Sequence, residues 1–97
     1  MKKVKVLNNS VRQLRLNKID KLFYNTEGVM YADAGKFKEA AACFTKAIEL
    51  APKDSLSFFN RATVKINIGD ILGARSDFAL SESFQLSKSH LIKFGMN

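Results

Sequence analysis

A shift of 34 residues lays this chain upon itself: Lys21–Asp54 set against Ser55–Lys88 superposes Leu22 on Leu56, Gly35 on Gly69, Ala40 on Ala74 and Phe44 on Phe78. The same shift pairs Tyr24 with Phe58, Gly28 with Ala62, Phe37 with Ile71, Ala47 with Ser81 and Leu50 with Phe84, so side-chain size is kept where identity is not. A fixed period of this length marks stacked supersecondary units, each too small to bury its apolar face without a neighbour.

Each unit reads as two helices. In the first, Leu22, Met30 and Ala34 surround Tyr24 and Tyr31 at the spacing of one apolar stripe, and Phe58, Ala62 and Ile66 repeat it in the second. Gly35 and Gly69 end these helices, because glycine enters the left-handed conformation of a helix C-terminus without a Cβ penalty; Asp70 is placed to cap the helix that follows. The second helices begin near Phe37 and Ile71. They carry Phe37, Ala40, Phe44 and Ala47, then Ile71, Ala74, Phe78 and Ser81, on one face each. Small residues at Gly28, Ala62, Ala40, Ala47, Ala74 and Ser81 make room for the rings. Ala51-Pro52-Lys53-Asp54 closes the first unit, since proline cannot continue a helix and restricts the residue before it.

With Tyr24, Gly28, Tyr31, Gly35, Phe37, Ala40, Phe44, Ala47 and Pro52 in these places, the first unit resembles the tetratricopeptide repeat. The second is similar to it through Phe58, Ala62, Gly69, Ala74, Phe78 and the run Asn60-Arg61-Ala62. It departs at Lys65, where the family has an aromatic, and at Leu86, where the family closes with proline. The resemblance implies an all-α fold of antiparallel helical hairpins stacked as a short right-handed α-solenoid. The units are expected at 21–54 and 55–88, a basic N-terminal arm at 1–20 and a short C-terminal capping segment at 89–97. Within the arm, Val4 and Val6 alternate like a strand while Val11 and Leu14 fit a helix, and Asn17 or Asp20 is the expected N-cap of the first repeat helix. Leu91, Ile92 and Phe94 are expected to form a short capping helix on the second unit.

The resemblance also implies a function. Partners of this family usually lie on the concave surface made by the first helices, which here would present Leu22, Asn25, Val29, Ala32 and Asp33, then Leu56, Phe59, Thr63, Ile66 and Asn67. The expected partner-binding set is Asn25, Val29, Asp33, Phe59, Thr63, Ile66 and Asn67. Phe59 is the most informative, because it follows Phe58 and adjacent helical positions face different ways, so one of the two rings is less buried. The branch that grips a terminal carboxylate with Lys and Asn is not matched: Asn60 fits one position, but Asn25 and Val29 stand where the first helix needs Lys and Asn.

Charge supplies the competing expectation. The net +7 is concentrated at the start, where Lys2, Lys3, Lys5, Arg12, Arg15, Lys18 and Lys21 face Asp20 alone. Such an arm can bind nucleic acid or an anionic surface with the repeats as a structural base. No Phe or Tyr precedes Phe23, so a stacking platform for single strands is missing there and nucleic acid is the lesser expectation.

Catalysis has little to rest on. Cys43 and His90 are each the only residue of their type, no glycine-rich phosphate loop occurs, and no Cys/His cluster has metal spacing. The expectation is a non-enzyme without cofactor or metal that binds another protein or peptide. The lone Cys43 fits a cytoplasmic setting, and no apolar run approaches the roughly 20 residues of a membrane span. Asp33, Glu39, Glu49, Asp54, Asp70, Asp77 and Glu82 alternate with basic residues, as expected of solvated helix faces. Stable arrays ordinarily need about three units, so two units suggest a homodimer through the terminal surfaces as well.

Overall fold

The computed structural model describes the backbone of residues 2–96 and the side chains of residues 17–87. Four helices follow one another: α1 (Lys2–Asp33), α2 (Phe37–Leu50), α3 (Ser55–Ile68) and α4 (Ile71–Met96). α1 packs antiparallel to α2 and α3 to α4, and the two hairpins join through α2 against α3, with α1 touching α3 only slightly. Among the described residues there is no strand, and the fold is the stacked helical-hairpin architecture that the 34-residue period implied.

The turns follow from their residues. Gly35 and Gly69 hold positive φ of 77° and 96°, the left-handed region that glycine enters freely. After Gly69 the reversed chain satisfies otherwise open helix carbonyls: the amides of Gly69 and Asp70 donate to the Lys65 carbonyl at 3.0 and 2.9 Å. The Asp70 carboxylate then accepts from the Gly73 amide at 2.9 Å and caps α4. Between the units Asp54 caps α3, accepting from the Ser57 amide at 3.2 Å.

Two boundaries differ from expectation. Neither Asn17 nor Asp20 begins a helix, because α1 passes through both from Lys2. No Gly or Pro occurs before Gly28 to interrupt it, and extending a helix already nucleated adds one hydrogen bond per residue fixed. At the other end Leu86 stands where a proline would have stopped the chain, and α4 continues to Met96. The contacts expected of Leu91, Ile92 and Phe94 fall outside the described residues.

The core is narrow and shared. Ala40, Phe44 and Val64 form a buried cluster against which Tyr31, Ala32, Phe37 and Ala41 pack, so one residue of the second unit completes the core of the first. Gly28 faces Phe44 so closely that a methyl group in its place would overlap ring atoms Cε1, Cζ and Cδ1. Gly28→Ala is therefore expected to destabilise by about 1–2 kcal/mol, overpacking of roughly 1–3 kcal/mol being offset in part by up to ~1 kcal/mol of helix propensity. Urea unfolding of the variant measures this; a midpoint at or above the parent's would mean that the ring yields freely.

The apolar stripe expected on the first helix is only half realised. Among the described residues of α1, Asn25 and Gly28 are the buried ones, while Leu22, Met30 and, just beyond the helix, Ala34 are exposed. In α3 the residue corresponding to Met30 is Val64, buried against α2. α2 covers α3 from the side on which α1 has no covering helix among the described residues.

Candidate partner-binding surface

The sites expected on the inner surface divide once the helices are in place. Val29, Asp33, Thr63, Ile66 and Asn67 are all exposed. On α3 the apolar Ile66 sits between two short polar residues that each donate once along the helix: Thr63 Oγ to the Phe59 carbonyl at 3.0 Å, and Asn67 Nδ2 to the Thr63 carbonyl at 3.0 Å. The Asn67 carbonyl oxygen remains as an acceptor for a ligand.

Asn25 does not join them. It is 7% exposed, and its amide donates to Ser57 Oγ at 2.9 Å across the junction of the two units. The Ser57 hydroxyl donates in turn to the Asp54 carboxylate, which Lys21 approaches at 3.5 Å. Burial raises the Asp54 carboxyl, but the Ser57 hydrogen bonds and the Lys21 charge outweigh it and hold the group below the usual carboxylate range. This network stitches α1 to the start of α3. Asn25 is a structural residue because the following unit covers it.

Phe59 occupies the same repeat position 34 residues later and is 51% exposed. Its ring packs edge-on against Phe78, with centroids 5.4 Å apart, and with Phe78, Ser81, Gln85 and Leu86 it lines an open groove between α3 and α4. Phe58, by contrast, is buried beside Phe84 at 5.6 Å.

One buried constellation escaped the sequence reading. Asp77, expected on a solvated face, is 2% exposed. Arg61 grips it with two hydrogen bonds, Nε to Oδ2 at 2.7 Å and Nη2 to Oδ1 at 2.9 Å, while Lys65 Nζ lies 3.0 Å from Oδ2. The remaining Arg61 nitrogen donates to Thr45 Oγ on α2 at 3.1 Å, and its guanidinium lies 5.6 Å from the centre of the Phe58 ring. The signal was a matched set of departures. In the first unit the corresponding positions are Glu27, Tyr31 and Cys43; in the second they are Arg61, Lys65 and Asp77. Lys65, the missing aromatic, is compensated by an acid on the facing helix.

Cys43 is half-buried; burial, then the Glu27 carboxylate, pushes its thiol above the ordinary value and leaves less thiolate for chemistry. His90 and the arm's Lys2, Lys3, Lys5, Arg12 and Arg15 lie outside the described side chains. Among the described residues no helix is long and apolar enough to cross a membrane.

The four-helix arrangement and its turns agree with two matches to models of one family, described as "Tetratricopeptide repeat". One covers residues 22–54, the last third of α1 with α2, and the other residues 43–76, offset by about half a unit so that it runs from within α2 through α3 into the start of α4. The chain is a tetratricopeptide repeat protein with two repeats. The Tetratricopeptide repeat protein 36 homolog of Nematostella vectensis is 39% identical over 67 residues, which is 69% of this chain and 36% of the relative. This tetratricopeptide repeat chain thus spans little more than a third of that relative's length. No solved structure matches it. Tetratricopeptide repeats generally mediate protein–protein interaction and are generally non-catalytic.

Proposed function

We propose that this chain is a non-catalytic adaptor that holds a segment of another protein on the inner surface of α1 and α3. The observation that carries the reading is the exposed Ile66 between Thr63 and Asn67 on α3, with Val29 and Asp33 exposed at the corresponding positions of α1. An apolar centre with polar residues around it excludes water from a docked chain while orienting its backbone. The single Cys43 fits a reducing, cytoplasmic setting.

The test begins with capture of a partner from an extract of the native source, followed by affinity measurement with purified components. Val29→Asp together with Ile66→Asp is expected to weaken binding about tenfold or more, the loss of roughly 1.4 kcal/mol or more typical of central contacts. Both residues are exposed, so the fold tolerates the changes. An unchanged affinity would remove the inner surface from consideration.

A further inference from the structure

The residues that meet at the junction between the two repeats have counterparts, with altered chemistry, on the two faces that no helix covers among the described residues. At the internal junction Asn25 of the first unit meets Ser57 of the second, and Phe44 of the first packs with Val64 of the second. Moved by one period, the residues that a following unit would meet are the exposed Phe59 and the half-buried Phe78, which line the groove between α3 and α4 together. Moved back by one period, the residues that would enter such a groove are Phe23 and Met30 of α1.

Both members of each pair have changed together. The polar couple Asn25 and Ser57 becomes Phe59 and Phe23; Phe44 and Val64 become Phe78 and Met30. Ser57 and Val64 are buried, whereas Phe23 is 55% and Met30 65% exposed, because no helix covers that face of α1 among the described residues. Arg61 crosses that junction to Thr45, and the counterparts of that couple are Glu27 on α1 and Ala79 on α4, with the exposed Arg75 one turn before Ala79.

We infer that a second copy of this chain docks its α1 into the α3–α4 groove, placing Phe23 of one copy against Phe59 of the next and continuing the repeat stack across the boundary. This goes beyond the inner-surface reading, which needs Val29 and Ile66 and involves neither Phe23 nor Met30. The contact is heterologous: each copy offers α1 at one end and the groove at the other, so association is open-ended and grows with concentration. Burial of two exposed aromatic rings and a methionine supplies the apolar drive.

The test uses the full chain in sedimentation equilibrium over a wide concentration range. The parent is expected to increase in average mass with concentration beyond that of a dimer. Phe23→Asp and Phe59→Asp, both at exposed positions, are each expected to sediment as monomers with unchanged helical circular dichroism. Mixed in equal amounts they are expected to form a dimer and nothing larger, because each variant keeps the surface that the other has lost. A parent that stays monomeric at every concentration overturns the inference. So does an associating parent whose two variants fail to pair, which would mark a symmetric interface instead. Inner-surface binding is read separately, from the affinity of the Val29→Asp, Ile66→Asp protein.

Discussion

Phe44→Ala is expected to lose about 3–5 kcal/mol of stability, the range for truncating a buried phenylalanine. The ring is 1% exposed and packs in one cluster with Ala40 of its own helix and Val64 of the next unit. Its removal leaves a cavity that Gly28 cannot fill, since that residue has no side chain to move inward. Small domains hold only about 5–15 kcal/mol in all, so a loss of this size leaves a large unfolded fraction. Because the cavity opens where the hairpins meet, both units are expected to unfold together, with a single transition in urea followed by circular dichroism. Phe78→Ala provides the control. Phe78 is only half-buried against Phe59, and its truncation is expected to cost clearly less. Two separate transitions in Phe44→Ala, or equal losses for the two phenylalanines, would show that the core is not shared in this way.

Asp77→Ala is expected to lose about 2–3 kcal/mol, somewhat under the roughly 3–5 kcal/mol of a fully buried pair, because the Arg61 and Lys65 chains keep some solvent. The variant leaves those two cations facing each other with their shared counter-ion removed. Burial raises the Asp77 carboxyl, but the hydrogen bonds and charges of Arg61 and Lys65 outweigh it and set the group below the usual range. A carboxyl lowered by folding stabilises fully above its unfolded pKa of about 3.9, and that contribution is lost as pH falls through its lower folded value. Asp54 acts in the same sense. Stability of the parent is therefore expected to decline below about pH 4, and Asp77→Asn to flatten that decline while leaving the share of Asp54. Thermal unfolding between pH 2 and 7 would measure both; an acid limb equally steep in the two proteins would disprove the coupling.

The repeat period made the helices and two of their turns legible. Gly35 and Gly69 required positive φ, Asp70 offered a cap, and Pro52 closed a unit, all of which are local properties of one or two residues. What stayed illegible involved two helices at once. Asp77 read as a surface acid because the acidic residues of the chain alternate with basic ones, yet α3 brings Arg61 and Lys65 over it. Asn17 and Asp20 read as helix starts because they are good N-caps, but an N-cap is used only where a helix begins, and α1 is already helical before both.

By itself, then, the sequence determined the unit: its length, its two helices, its glycine turns and the small residues that admit the rings. Only the tertiary structure decided which copy of each position is covered. Asn25 and Phe59 hold the same place in their repeats, and so do Met30 and Val64, but one of each pair is buried and the other exposed. The reason is geometric: a residue on the stacking face is removed from water by the adjacent unit, and among the described residues each unit has a neighbour on one side only.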